Sequence, residues 1–304
     1  MIEKCTKFAL KSSMDRKDFI KKGLFGTGVF VSANALGNII DNEIEELKPL
    51  EILGFNHIHN TNSKIMNHIV YHPANTRGLA DHGWLKSFHT FSFANYYNPE
   101  RMHFGALRVL NDDIVAEGMG FGTHPHDNME IISIPLEGDL EHKDSMGNLA
   151  VIKHGEIQVM SAGSGITHSE YNRNHDKAAK FLQIWVFPNK KNVTPRYDQI
   201  KIDIEARKNN FDQILSPNAN DAGVWIHQDA WFHLSNFEKG FKKTYNFKKE
   251  GNGLYVFLLN GQLNIANQMM NSRDGLGIWD TESIEIEASE NAEFLLMEVP
   301  MQIA

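Results

Sequence analysis

Three features of the sequence predict an all-β protein built from two barrel or sandwich domains. Short runs of strand-forming residues recur at 131–134, 157–160 and 181–186. Turns that contain glycine, such as 137–139 and 162–165, separate these runs. No apolar pattern with the helical period of 3.6 residues persists in this part of the chain. Short strands at near-regular spacing with glycine-rich turns are typical of β-sandwiches and β-barrels.

The last third of the chain repeats the β pattern and predicts a second barrel. The stretch 255–265 consists of a strand, the turn Asn260-Gly261 and another strand, which is a strong hairpin signal. Two further strand-like runs follow at 283–287 and 294–299. This part of the chain contains no H-x-H pair, so we expect the second barrel to be free of metal.

The N-terminal segment has the three parts of a secretory signal. Seven lysines and arginines lie within the first 22 residues, and an apolar run follows at 23–33. This run is too short to span a bilayer, and Ala33-Asn34-Ala35 closes it as a small-residue cleavage site. The stretch 15–21 also resembles a twin-arginine signal, with Lys17 where the second arginine belongs. We therefore expect export to the periplasm, and a cytoplasmic location is the alternative.

These features divide the chain into five parts. They are a signal peptide at 1–35, a linker at 36–67, an N-terminal barrel at 68–188, a connection at 189–221 and a C-terminal barrel at 222–304. The connection is inferred from its polar, turn-rich composition.

Charge and cysteine content restrict the kind of function. A net charge of -8 and a pI of about 6.0 provide no basic field for nucleic acid or anionic lipid, so we expect neither as a partner. We also expect no stable membrane anchor. Cys5 is the one cysteine, which excludes an intrachain disulfide and a multi-thiolate metal site. Any metal must therefore be held by nitrogen and oxygen, and 15 histidines are present.

Two short motifs in the N-terminal barrel place metal-ligand side chains two residues apart. They are His124-Pro125-His126 and His168-Ser169-Glu170. Residues two apart on a strand share one face, so two such strands would bring three nitrogens and one carboxylate oxygen to one point. This donor set leaves positions open for a substrate or dioxygen and suits a first-row divalent ion.

Histidine abundance also makes accidental motifs common. With 15 histidines, roughly one H-x-H pair is expected by chance, and His57-Ile58-His59 in the linker is another such pair. The glycines that precede His124 and the later His168-Ser169-Glu170 motif distinguish the first pair from this background. His142 and His154 lie beside turn signals, and we expect both to be exposed to solvent.

The motifs belong to a longer pattern that resembles the pirin family of the cupin superfamily. The matching residues are Arg77-Gly78, His82-Gly83-Trp84-Leu85, His89-Thr90-Phe91-Ser92-Phe93, Phe104-Gly105-Ala106-Leu107-Arg108-Val109, Gly120-Phe121-Gly122-Thr123-His124-Pro125-His126, Met129-Glu130-Ile131, Leu136-Glu137-Gly138, Glu141-His142-Lys143-Asp144-Ser145-Met146-Gly147, Met160-Ser161-Ala162-Gly163 and His168-Ser169-Glu170-Tyr171-Asn172. The resemblance implies a bicupin, which has two jelly-roll β-barrel domains. It is greatest to bacterial pirin-like proteins, which implies quercetin 2,3-dioxygenase activity.

The resemblance also implies the ligand set. The family's ligands correspond to His124, His126, His168 and Glu170, the same four residues that the strand argument selects. Cupins in general take their carboxylate ligand soon after the H-x-H pair, which would nominate Glu130. In pirins the later glutamate binds the metal, so Glu130 is the second choice.

The implied function is a metal-dependent dioxygenase that opens the ring of a flavonol with dioxygen. The expected cofactor is one divalent ion, Fe(II) first, with Ni, Cu, Mn or Zn as alternatives. Glu170 would be catalytic by accepting the proton of the substrate hydroxyl. The alternative is a non-catalytic, metal-binding pirin that acts as an interaction or regulatory protein. The metal site is better supported than the substrate, because cupins host many reactions on one scaffold.

Overall fold

The computed structural model describes residues 68–303. The expected signal peptide, the expected linker and the pair His57 and His59 lie outside the described residues. Among the described residues the only helical element is the 3-10 turn Ala74–Thr76, and no helix there is long enough to cross a membrane. All other regular structure in this part of the chain is strand, which confirms the all-β prediction.

In residues 68–303, twenty-two strands make up the two domains. The first twelve are β1 His68–His72, β2 Gly78–Asp81, β3 Leu85–His89, β4 Leu107–Val115, β5 Gly120–His126, β6 Glu130–Glu137, β7 Asp139–Asp144, β8 Leu149–Lys153, β9 Glu156–Ser161, β10 Ile166–Asn172, β11 Ala179–Val186 and β12 Arg196–Lys201. The other ten are β13 Asp212–Ser216, β14 Val224–Trp225, β15 Trp231–Phe237, β16 Lys242–Asn246, β17 Asn252–Asn260, β18 Gln262–Ile265, β19 Gln268–Asn271, β20 Gly275–Trp279, β21 Ser283–Ala288 and β22 Ala292–Pro300.

Each domain consists of a seven-stranded and a four-stranded sheet. In the first domain the strand orders are β12-β9-β6-β11-β4-β3-β2 and β5-β10-β7-β8. In the second domain they are β1-β20-β17-β22-β15-β13-β14 and β16-β21-β18-β19. All pairs are antiparallel except β13 with β14. The prediction of two β domains is therefore confirmed.

The two seven-stranded sheets share one apolar core. Leu182 and Ile184 of β11 lie in the same buried cluster as Phe232, Phe257 and Met297 of the second domain. Successive side chains on a strand point to opposite faces, so the side chain between Leu182 and Ile184 of β11 points into the first barrel. This face of β11 lines the candidate site described below.

The domain boundaries differ from those expected. β1 opens the expected first domain, but it pairs with β20 of the second domain, from His68 opposite Trp279 to His72 opposite Gly275. The expected connection at 189–221 contains β12, which pairs with β9 of the first domain, and β13, which pairs with β15 of the second. β12 is a half-exposed edge strand, and its polar composition made it look like a loop.

The turn Asn260-Gly261 was predicted to close a hairpin, and this is wrong. β17 pairs with β20 and β22, whereas β18 pairs with β19 and β21 of the other sheet. The turn is a corner at which the chain passes between sheets. Gly261 has a φ of 91°, and a Cβ there would lie 1.9 Å from the carbonyl oxygen of Asn291. Only glycine therefore fits the corner.

A buried hydrogen bond secures β1 to the second domain and gives a testable prediction. His72 Nδ1 lies 2.8 Å from the hydroxyl of Tyr255, and both side chains are buried. The change Tyr255→Phe should lower the free energy of unfolding by about 1–2 kcal/mol, because it leaves the His72 nitrogen buried without its partner. Urea titration measures this effect. The control Tyr97→Phe, at a side chain 72% exposed, should change little, and equal stability of both variants would contradict the prediction.

Candidate metal centre

Two neighbouring antiparallel strands bring the predicted ligands together. On β5 and β10, His124 lies directly opposite His168, and His126 lies opposite Ile166. The register shifts between His168 and Glu170, because Gly122 and Thr123 of β5 lie opposite the one residue Ser169 of β10, so β5 carries the extra residue. Such an irregularity changes the direction of the side chains that follow it. The ligand-type side chains of the two sequence motifs thus lie in one cluster on the inner face of the barrel.

The three histidines are spaced as ligands of one ion would be. His168 Nε2 lies 3.1 Å from His124 Nε2, and one nitrogen from each of His124, His126 and His168 lies within 4.8 Å of the others. Two nitrogens bound to one ion at about 2.1 Å would be about 3 to 3.4 Å apart. His124 Nδ1 lies 2.8 Å from the carbonyl oxygen of Gly122, which only accepts, so Nδ1 carries the hydrogen. The Nε2 lone pair of His124 is therefore free for an ion.

The surroundings of His126 and His168 keep these two imidazoles neutral. Burial, together with the neighbouring imidazoles, lowers the pKa of His168 to about 2 and that of His126 to about 4. Neutral imidazole is the form that binds metal. The donor set in the described residues therefore fits a divalent first-row ion at neutral pH.

Glu170 lies beside this cluster, on its buried side. A carboxylate oxygen of Glu170 and one nitrogen from each of His168 and His142 lie within 4.8 Å of one another. The four predicted ligands do not form one group at that distance. Ser133 donates a hydrogen bond of 2.9 Å to Oε1 of Glu170, and burial raises the pKa of this carboxyl group to about 7. Glu170 is thus held next to the histidines by a contact with its Oε1 atom.

Glu130, the second choice for the carboxylate, belongs to neither group of candidate ligands among the described residues. It is buried on β6, where the Ser161 hydroxyl donates a hydrogen bond of 2.6 Å to its Oε2 atom. Burial raises its pKa to about 7, against the opposing effects of the Ser161 hydrogen bond and of the nearby Arg196. This position favours a structural role for Glu130.

His142 is a residue that the sequence argument missed. The expectation that it is exposed is wrong, because its side chain is fully buried, with its ring centroid 5.3 Å from that of His168. A signal was available in the alternation of Leu140, His142 and Asp144 on β7, since Leu140 marks the inward face. His154 is exposed as expected.

A cavity of about 310 Å³ lies along β3, β4 and β5, and its lining includes none of the four predicted ligands. Its lining includes Ser87, His89, Phe93, Asn111, Asp113, Phe121 and Gln183. Phe93 packs edge-on against Trp185 at 5.3 Å, and Trp185 packs against His126 at 4.9 Å, so the cavity wall continues to the histidines. A larger groove of about 570 Å³ in the second domain is lined by no histidine.

Several polar groups that line the cavity lack a hydrogen-bond partner among the described residues. Both amide atoms of Asn111 and Nδ1 of His89 are buried without a hydrogen-bond partner among the described residues. Asp113 accepts a hydrogen bond from the Ser87 hydroxyl, and burial raises its pKa to about 7. Buried polar groups are normally satisfied, so these groups suit a ligand that carries several hydroxyl groups.

Within residues 68–303, two paired-sheet domains with one histidine cluster in the first define a bicupin with a single candidate metal centre. The Pirin family model matches residues 71–186, and the model described as Quercetinase C-terminal cupin domain matches residues 213–299. The chain belongs to the pirin family. The resemblance seen in the sequence is thereby confirmed.

The most similar relatives include proteins of named activity. The quercetin 2,3-dioxygenase of Escherichia coli K12 is 44% identical over 232 residues, which cover 76% of this chain and 99% of that protein. A pirin-like protein of Caulobacter vibrioides is 39% identical, over 74% of this chain and 97% of its own length. The crystal structure of a bacterial pirin from Escherichia coli in complex with nickel(II) is 41% identical, with a TM-score of 0.73, and covers 78% of this chain and 100% of that one.

Proposed function

We propose that this protein is a metal-dependent dioxygenase that opens the ring of a flavonol such as quercetin. The ion would be held by His124, His126, His168 and Glu170. The observation that carries the proposal is the convergence of three histidines, which Trp185 connects to the wall of a cavity with an aromatic and polar lining. The name of the 44% identical relative supports the reaction. Fe(II) is our first choice of ion, although the related pirin was solved with nickel(II).

The residues of the chain supply binding, orientation and proton transfer. When bound, the ion supplies Lewis acidity toward the 3-hydroxyl oxygen of the flavonol. Glu170 accepts the hydroxyl proton, because its Oε2 atom is not engaged by Ser133, which donates to Oε1.

The cavity suits a planar polyphenol. Phe93 and Phe121 provide an aromatic wall for the fused rings, and Asn111, Asp113 and Gln183 provide hydrogen-bonding groups for ring hydroxyls. A volume of about 310 Å³ is at the lower end of the range for small-molecule sites. This combination favours a compact, polyhydroxylated aromatic substrate.

Dioxygen uptake tests the proposal. The metal-free protein is reloaded separately with iron, nickel, copper, manganese or zinc, and dioxygen consumption is followed after quercetin is added. We expect uptake in proportion to metal occupancy with at least one of these ions. If metal binds stoichiometrically but no flavonol supports dioxygen uptake, the ligand assignment stands and the quercetinase reaction is refuted.

The cavity predicts a specific effect of Asn111→Leu. This change removes both buried amide atoms that lack partners, so it should weaken quercetin binding about 10-fold without affecting bound metal. Calorimetric titration of the metal-loaded protein without dioxygen measures the affinity. Asn220→Leu, at an exposed loop position in the second domain, is the control and should bind quercetin normally. Equal affinity of Asn111→Leu and wild type would remove Asn111 from the substrate site.

A further inference from the structure

We propose that His142 is a positioning residue that fixes the imidazole of His168 as a metal ligand through a buried hydrogen-bond chain ending at Asp144. The inference rests on the proposed metal centre, but it concerns a residue outside the proposed ligand set. Its function would be to hold the orientation and the tautomer of His168.

The first support is the arrangement of the two ring nitrogens of His168. Nε2 lies 3.1 Å from His124 Nε2, on the side of the histidine cluster. Nδ1 lies 3.5 Å from Nδ1 of His142. The two nitrogens of an imidazole point in different directions, so an ion held with His124 lies on one side of the ring and His142 lies on the other. His142 therefore contacts the metal ligand His168, and the Nδ1 atom of His142 is not directed at the ion.

The second support is that only one arrangement of hydrogens satisfies the chain. Asp144 accepts hydrogen bonds from the backbone N–H groups of Met146 and Asn148 and from the side-chain amide of Asn148. His142 Nε2 lies 3.4 Å from Asp144 Oδ2, so Nε2 carries the hydrogen and donates it to the carboxylate. His142 Nδ1 is then an acceptor for Nδ1–H of His168, which leaves the Nε2 lone pair of His168 for the ion.

The third support is that the chain is rigid and shielded from water. The side chains of His142 and Asp144 are fully buried. β7 pairs directly with β10, with Asp144 opposite His168 and His142 opposite Glu170. The ring of Tyr197 packs against His142 at 4.8 Å. Hydrogen bonds in such a place orient a ligand strongly, because water does not compete for the same groups.

Two alternatives make different predictions. His142 could be a packing residue for Tyr197, in which case another aromatic ring would replace it. It could also be a direct ligand, since one of its nitrogens, one from His168 and a Glu170 oxygen lie within 4.8 Å of one another. In that case its loss would remove one imidazole from the ion.

A pair of substitutions separates these cases. In His142→Asn the amide oxygen lies close to the position of Nδ1 and accepts from His168. In His142→Phe the ring remains but the acceptor is lost. We expect His142→Phe to weaken metal binding about 10- to 100-fold and His142→Asn to restore most of the affinity. Both variants are measured with Co²⁺ and Zn²⁺ against a chromophoric chelator, with His154→Phe as the exposed control.

The outcomes are distinct. Wild-type affinity in His142→Phe would overturn the inference and leave the metal centre intact. Loss in His142→Asn with retention in His142→Phe would show a packing role and would also overturn it. X-ray absorption of the metal-loaded proteins should give the same number of imidazole ligands in His142→Phe as in wild type. One imidazole fewer would show that His142 is a ligand, whereas a wild type that binds no metal would refute the proposed centre itself.

Discussion

Alanine at His168 should abolish stoichiometric metal binding, and alanine at His124 or His126 should do the same. Each change removes one of three imidazoles whose ligand atoms lie within 4.8 Å of one another. The remaining donors are too few to hold a divalent ion against exchange with water, so we expect the affinity to fall by more than about 100-fold. Elemental analysis after dialysis measures the bound metal.

The control for this experiment is the other H-x-H pair. The double variant His57→Ala/His59→Ala should keep its full metal content, because this pair lies in the expected linker and the sequence offers no second ligand motif beside it. Full metal in all three single variants would place the site elsewhere. Loss of metal in the double variant would show that the wrong H-x-H pair had been selected.

Glu170→Gln should retain part of the metal. Its rate of flavonol-dependent dioxygen uptake should fall by at least about 100-fold. The amide oxygen still coordinates weakly and still accepts the hydrogen bond from Ser133, but it cannot take a proton from the substrate. Glu130→Gln is the matched control and should keep both metal and uptake. Loss of metal in Glu130→Gln, together with wild-type behaviour of Glu170→Gln, would transfer the ligand role to Glu130.

The variant Glu170→Gln should also change the stability of the metal-free protein. Burial raises the pKa of Glu170 from 4.5 to about 7, so the folded state holds the proton more tightly than the unfolded state does. The stability contributed by protonated Glu170 is complete below pH 4.5 and is lost as the pH rises through 7. At pH 8 the metal-free Glu170→Gln protein should therefore be more stable than wild type by about 3 kcal/mol. Denaturant titration at pH 4 and pH 8 measures the difference, which should disappear at the lower pH.

Local patterns in the sequence were sufficient to predict the all-β class and the meeting of the histidines. The period-2 spacing of His124 with His126 places both on one face of β5, and β5 pairs with the strand that carries His168. A spacing of two residues is a strong constraint in a β-barrel because only one face of each strand points inward.

Non-local pairings could not be predicted in the same way. β1 joins a sheet whose other strands begin more than 140 residues later in the chain, and nothing in His68–His72 itself indicates that partner. The Asn260-Gly261 turn has the local chemistry of a hairpin, but tertiary packing uses it as a corner between two sheets. The choice between these uses depends on which strands lie nearby, which a short window of sequence does not contain.

Buried polar residues were the second source of error. The interior of the first barrel holds His142, Asn111 and Gln158, so an apolar-inside rule assigns these residues to the surface. His142 was placed at the surface because it lies beside turn signals, although its alternation with Leu140 indicates the inward face. Where a site requires polar groups inside, the alternation of residues remains informative but residue type does not.

Isotope-labelled dioxygen tests the central claim most directly. The metal-loaded protein is given quercetin under ¹⁸O₂, and the products are analysed by mass spectrometry beside those of the His168→Ala variant. We predict that both labelled oxygen atoms enter the products of the wild-type reaction, and that His168→Ala forms no labelled product. Label from one atom only, or equal labelled product from His168→Ala, would contradict a dioxygenase reaction at this centre.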